Sequence, residues 1–212
     1  MTQIKICGIQ ELEHAEAAVN AGADAIGFVF ANSKRKVTVD QARHIAKQVP
    51  NHIKKIGVFV NSTKQELTEI NREVGLDYVQ LHGDESPEFC QSLSLPYIKA
   101  LRIGSEQDLK RLNHYDNASY FLLDSATGPY RGGNGTTFDW ELLKEATIDR
   151  NRFILAGGLN EDNIKQAIER TRPTMVDVSS GVETNGVKDP EKIKRLIQKV
   201  KERSTCHTHS QM

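Results

Sequence analysis

Short apolar runs alternate with longer amphipathic ones along this chain, and the alternation recurs about eight times. The apolar runs predict strands at Gln3–Cys7, Ala25–Phe30, Lys55–Val60, Tyr78–His82, Tyr97–Leu101, Tyr120–Asp124, Phe153–Ala156 and Met175–Ser179. Helical spacing appears in Glu11–Ala21 (Leu12, Ala15, Val19), Lys64–Val74 (Leu67, Ile70, Val74) and Glu161–Glu169 (Ile164, Ala167, Ile168). The last helix, Pro190–Arg203, gathers Ile193, Leu196, Ile197 and Val200 on one side and lysines on the other, with Asp189 and Pro190 as start signals. Strand–helix repetition of this kind in about 200 residues predicts an α/β chain folded as a single (β/α)8 TIM barrel. A doubly wound open sheet is the alternative, because counting units does not show closure.

The unit between Gly128 and Phe138 breaks the rhythm: it is glycine-rich and reads as a long loop before a helix at Phe138–Ala146. Residues 1–203 are expected to form the barrel domain and 204–212 a flexible polar tail, in which Cys206, His207 and His209 read as a frayed terminus rather than a metal site.

Side chains alternate along a strand, so parity sorts them by face. Ile4 and Ile6, Val79 and Leu81, Phe121 and Leu123, and Val176 and Val178 belong against the helices. That leaves Lys5, Cys7, Gln80, His82, Asp124 and Asp177 facing the barrel axis. Buried charges must be paired, and a lysine among carboxylates also favours a nearby thiolate. Polar residues at the C-terminal strand ends read as a site.

The turns after the last three strands are Gly132-Gly133-Asn134-Gly135, Gly157-Gly158 and Ser180-Gly181. Glycine permits close backbone approach, and successive amide hydrogens cradle an anion. In barrels the ends of strands seven and eight commonly hold a phosphate. Together these turns point to a phosphorylated small molecule.

Composition narrows the classes. Of 212 residues, 28 are Lys or Arg and 28 are Asp or Glu, so no net field draws nucleic acid or an anionic membrane. No apolar stretch approaches the roughly 18 residues of a membrane helix, and no secretory signal opens the chain. Three widely spread cysteines, Cys7, Cys90 and Cys206, suit a reducing cytoplasm better than a disulfide framework.

With these motifs in order, the chain resembles the phosphoribosylanthranilate isomerase family of tryptophan biosynthesis. The resemblance rests on Lys5-Ile6-Cys7-Gly8, Gly27-Phe28-Val29-Phe30, Ser33-Lys34-Arg35, Gly57-Val58-Phe59 and Val79-Gln80-Leu81-His82-Gly83. It continues in Leu122-Leu123-Asp124, the Gly-Gly-Asn-Gly loop before Phe138-Asp139-Trp140, and Leu155-Ala156-Gly157-Gly158-Leu159. It ends in Val176 to Glu183 with Gly186-x-Lys188-Asp189. The family usually has threonine where this chain has Asn134.

The resemblance implies an Amadori rearrangement of an aminoaldose to an aminoketose, with Asp124 as the acid that opens the furanose ring and Cys7 as the base that removes the C2 proton. It implies Arg35 as the partner of the anthranilate group, with a guanidinium suited to a carboxylate, and His82 and Asp177 as pocket residues. Gly133, Asn134, Gly135, Gly157, Gly158, Ser180 and Gly181 become the phosphate cradle. No metal or organic cofactor is implied, since the imine made on ring opening already acidifies the C2 proton. The expected partner is a phosphorylated sugar–anthranilate substrate, with no nucleic acid and no membrane, and the protein a monomer or homodimer in the cytoplasm.

Each residue has an ordinary reading too. A strand cysteine is a small core hydrophobe, a strand-end aspartate caps a turn, and Arg35 beside Lys34 and Lys36 is a solvated charge. For His82 and Asp177 the residues leave both readings open: structural hydrogen bonding, or for Asp177 a pairing with Lys5. Other functions that would use the same cradle are a metal-dependent pentose-phosphate epimerase, a flavin-binding barrel and a sugar-phosphate binder or scaffold without catalysis. The epimerase wants several His and Asp ligands at strand ends, where only His82 supplies imidazole. A binder has no need of both Cys7 and Asp124.

Overall fold

The computed structural model describes residues 1–125, 139–143 and 148–202. Eight parallel strands close on themselves: β1 (Gln3–Cys7), β2 (Ala25–Val29), β3 (Lys54–Phe59), β4 (Tyr78–Leu81), β5 (Tyr97–Ile103), β6 (Tyr120–Ser125), β7 (Phe153–Leu155) and β8 (Met175–Val178). Closure is made by β1, which pairs with β2 on one side and with β8 on the other, Lys5 lying opposite Asp177. The open-sheet alternative is thereby excluded. Every predicted strand is present within one or two residues.

The helices are less regular than the repeat suggests. Four expected helices form as α1 (Leu12–Ala21), α3 (Lys64–Val74), α6 (Ile164–Thr171) and α7 (Pro190–Lys201), and α2 (Val39–Gln48) adds one that the apolar spacing does not single out. It starts at a capping box in which Thr38 and Gln41 satisfy each other's backbone amides, as Thr63 and Glu66 do for α3. Helices α4 (Pro87–Gln91) and α5 (Glu106–Lys110) are only short turns. The expected helix start at Glu161 moves to Ile164 because Asn160 and Asn163 close a side-chain turn first, Asn163 Oδ1 accepting from the Asn160 backbone N–H at 2.9 Å. Of the expected Phe138–Ala146 helix, a 3-10 turn at Trp140–Leu143 lies within the described residues.

Beyond β8 the chain makes a small antiparallel hairpin, β9 (Glu183–Thr184) and β10 (Val187–Lys188), which the sequence pattern does not reveal. Asp189 then caps α7, accepting from the amides of Glu191 and Lys192, and Ile193, Leu196, Ile197 and Val200 are all buried.

Strand parity holds throughout. Ile4, Ile6, Val79, Leu81, Phe121, Leu123, Val176 and Val178 pack in the layer between strands and helices. A separate apolar plug of Ala25, Ile56, Ile98, Ala100, Leu122, Ile154, Ala156 and Met175 fills the barrel axis. The polar inward residues therefore sit on an apolar floor, at the end of the barrel where the strands terminate. Among the described residues no helix is long and apolar enough to cross a membrane.

Candidate active site

A cavity of about 860 Å³ opens at the C-terminal ends of the strands, and its wall includes Cys7, Arg35, His82, Asp124, Gly157, Gly158, Asp177 and Ser180. Residues singled out from sequence on seven different strands and loops thus converge on one space. Cys7 ends β1 and Asp124 lies near the end of β6, three strands away around the ring. Both are buried. Gly133, Asn134 and Gly135 lie outside the described residues, as do the tail residues Cys206, His207 and His209. Gly181 does not line the cavity: it packs so tightly on the preceding turn that a Cβ there would lie 1.9 Å from the Leu159 carbonyl oxygen.

Beneath Cys7, Lys5 is fully buried and anchors a polar chain across the barrel. Its ammonium lies 3.0 Å from Asp177 Oδ1, an ion pair set off the hydrogen-bonding direction, and donates to Gln80 Oε1 at 2.9 Å. Gln80 Nε2 meets His82 Nδ1 at 3.1 Å. On the far side of the ring, His82 Nε2 faces Asp124 Oδ2 at 3.4 Å, close but outside hydrogen-bond geometry. Asp124 Oδ1 accepts the Ser125 amide at 2.8 Å.

Two glycines make this packing possible. At Gly27 on β2 a Cβ would stand 2.9 Å from Cys7 Sγ and 3.0 Å from Lys5 Cε, so a side chain there would displace the thiol or the lysine. At Gly157, where φ is +88°, a Cβ would stand 2.9 Å from Asp124 Oδ1 and 2.7 Å from the Ser125 amide nitrogen. The Gly157 and Gly158 amides donate to no acceptor among the described residues, as an anion cradle requires. Asn163 Nδ2 donates to Gly158 O at 2.9 Å and pins the turn in place.

Electrostatics at Cys7 run against the sequence-based expectation of a favoured thiolate. Burial pushes the thiol above its ordinary value; Lys5 and Lys188 pull it down and Asp177 pushes it further up, leaving the net direction upward. Burial pulls Lys5 down as well, but Asp177 and Cys7 more than offset it, so Lys5 stays charged. At neutral pH the sulfur therefore keeps its proton and the lysine its charge, with Asp177 as the counter-charge.

Arg35 is buried in the loop after β2 and folded over Gly8, where a Cβ would meet its Cδ at 2.5 Å. The loop is drawn back onto β2 by the Val37 amide, which donates to Val29 O at 2.9 Å. Glu183 of β9 takes the guanidinium from behind, at 2.6 Å from Nε and 2.9 Å from Nη2. Lys188 of β10 bonds the same carboxylate at 2.6 Å and reaches Ser179 O at 3.1 Å, while Ser179 Oγ donates to Cys7 O at 3.0 Å. Burial raises the Glu183 pKa, yet hydrogen bonding from Arg35 and the charge of Lys188 outweigh it and hold the carboxyl below its ordinary range.

Glu183 and Lys188, which brace Arg35 and the turn after β8, are passed over by sequence reasoning. They stand in the motif Val182-Glu183 with Gly186-x-Lys188-Asp189, but nothing in that spacing says the glutamate reaches an arginine 148 residues away. Gly27 and Gln80 are likewise visible in the chain without a role. Together, the guanidinium, the turn amides, the thiol and the carboxyl line one cavity that suits an anionic small molecule.

Comparison with known proteins agrees. A family model described as N-(5'phosphoribosyl)anthranilate (PRA) isomerase matches residues 4–199. The N-(5'-phosphoribosyl)anthranilate isomerase of Listeria innocua is 50% identical over 198 residues, covering 93% of this chain and 97% of its own. That of Bacillus cereus is 51% identical over 200 residues, covering 94% and 98%. The phosphoribosyl anthranilate isomerase structure from Thermotoga maritima superposes with a TM-score of 0.87 at 41% identity, over 95% of this chain and 99% of that one. A phosphoribosyl anthranilate isomerase in complex with reduced 1-(o-carboxyphenylamino)-1-deoxyribulose 5-phosphate superposes with a TM-score of 0.83 at 39% identity, over 95% and 99%.

Proposed function

The chain belongs to the N-(5'-phosphoribosyl)anthranilate isomerase family, and on that premise we propose that Asp124 and Cys7 are the acid and base of its reaction. The protein is an isomerase of tryptophan biosynthesis, converting N-(5-phosphoribosyl)anthranilate to 1-(2-carboxyphenylamino)-1-deoxyribulose 5-phosphate. Asp124 gives its proton to the furanose ring oxygen as the C1–O bond breaks, and the anilino nitrogen takes up the positive charge as an iminium. The competent form of Cys7 is its minor thiolate, the thiol having given its proton to solvent; that thiolate removes the proton from C2 and becomes the thiol. The resulting enolamine becomes the ketone as C1 gains the proton held by Cys7 and the C2 hydroxyl gives its proton to Asp124, which restores both groups.

One observation carries this assignment: Cys7 and Asp124 line the same cavity from β1 and β6. Arg35 receives the anthranilate carboxylate at one end. Gly157, Gly158 and Ser180, joined by Gly133, Asn134 and Gly135, receive the phosphate at the other, with Gly181 shaping the turn. Residues 1–203 act as one catalytic barrel in the cytoplasm, without nucleic acid, as a monomer or homodimer. One solved relative is described as the monomeric form of a dimeric phosphoribosylanthranilate isomerase from Thermotoga maritima.

The deciding experiment follows the substrate's fluorescence through a single turnover in the wild type, Cys7→Ser and Asp124→Asn. Turnover in the wild type and its loss in both variants is the expected result. Near-normal turnover in either variant removes that residue from its role.

A further inference from the structure

The polar chain beneath the cavity has a direction. Lys5 is charged and fully buried, and an ammonium group only donates hydrogen bonds. Its contact with Gln80 at 2.9 Å therefore fixes the amide oxygen on the Lys5 side. The amide nitrogen, which only donates, is left pointing at His82 Nδ1 at 3.1 Å. Nδ1 has to accept, so it carries no proton, and in a neutral imidazole the proton then lies on Nε2. Nε2 is buried, has no hydrogen-bond partner among the described residues, and stands 3.4 Å from Asp124 Oδ2.

We propose that Lys5 and Gln80 lock His82 in its Nε2–H tautomer, so that the histidine is a fixed donor to Asp124 and never an acceptor of the acid's proton. The proposal rests on the reading of Asp124 as the general acid and assigns the roles that sequence leaves open for His82 and Asp177. With Nε2 protonated, the carboxyl proton of Asp124 has nowhere to go but the substrate. Once that proton has passed to the ring oxygen, Asp124 is a carboxylate and Nε2–H is already aimed at it. The long contact becomes a charge-assisted hydrogen bond only as the C1–O bond breaks, which favours the transition state over the bound substrate. An Nδ1–H tautomer would reverse this, with Nε2 taking the proton that ring opening needs.

Asp177 is the far anchor, the counter-charge that keeps Lys5 an ammonium. Arg102 of β5, in register with Asp124, shares its strand-end level. Gln80, Lys5 and Asp177 are positioning residues, because they act through His82.

The test reads the tautomer directly in the 15N spectrum of the folded wild-type protein, the His82 signals being identified by their absence in His82→Asn. Expected are a pyridine-type Nδ1 and a pyrrole-type Nε2. Gln80→Glu keeps the Lys5 contact but offers His82 an acceptor. It is expected to move the proton to Nδ1 and to lower kcat by about tenfold to a hundredfold, within the range of general acid catalysis, with KM little changed. In a His82→Asn background the same Gln80→Glu change should cost little more. A protonated Nδ1 in the wild type, or an unchanged kcat in a folded Gln80→Glu protein, overturns the inference. Asp124→Asn keeps the two claims apart: if that variant turns over normally, it is the acid assignment that fails, whatever the spectrum shows.

Discussion

Glu183 holds Arg35 by both edges of one arm, Oε1 at 2.6 Å from Nε and Oε2 at 2.9 Å from Nη2. Glu183 stands outside the wall of the cavity, while Arg35 is part of it. The grip therefore fixes the plane of the guanidinium, whose proposed partner is the substrate's anthranilate carboxylate. Glu183→Gln keeps the shape but removes the charge that orients the fork. It is expected to raise KM by about tenfold, one charge-assisted hydrogen bond's worth, with kcat changed far less. Steady-state kinetics with the anthranilate-linked substrate check this, and an equal fall in kcat at constant KM contradicts it.

Burial places the Cys7 thiol above its ordinary value, so in the free protein sulfur stays protonated to higher pH than in a free cysteine. Alkylation of Cys7 by iodoacetamide, followed by peptide mass mapping, should accelerate with pH only beyond the normal cysteine range. Asp177 pushes the thiol up and Lys188 pulls it down. Asp177→Asn should therefore move the alkylation midpoint to lower pH and Lys188→Met to higher pH. Buried Cys90, pushed up to about 11, serves as an internal comparison. A midpoint below that of free cysteine would refute the assignment.

Gly157 seats Asp124, the proposed acid. A Cβ at that position collides with both Asp124 Oδ1 and the amide that bonds it. Gly157→Ala is expected to lower kcat by about a hundredfold or more, comparable with loss of the general acid, while circular dichroism still reports a folded barrel. A kcat within about threefold of wild type would mean that the turn yields without moving Asp124.

Lys99 and Glu85 form a buried pair at 2.6 Å. Lys99 also donates to Gly83 O at 2.9 Å, and Glu85 accepts from the Gly83 and Asn61 amides. Together they tie down the turn that follows His82. Lys99→Met strands a carboxylate in the interior, for which about 3–5 kcal/mol of destabilisation is expected. Urea unfolding measures it, and a loss below about 1 kcal/mol would show that Glu85 finds another partner or takes up a proton.

Local covalent geometry is what a sequence carries, and strand parity is local. That is why the positions of eight strands, the inward set Lys5, Cys7, Gln80, His82, Asp124 and Asp177, and the glycine turns are legible in the chain alone. The repeat also suggests the barrel, but closure itself is the pairing of β1 with β8, whose residues are some 170 positions apart in the chain. Neither strand's composition encodes it. The same holds for Lys5 with Gln80 across 75 residues and Arg35 with Glu183 across 148. These contacts depend on how the strands are staggered around the ring, and no periodicity reports that. The direction of the Cys7 shift escapes the sequence for a related reason: the chain shows a lysine nearby, while the depth of burial that outweighs it exists only once the barrel has closed.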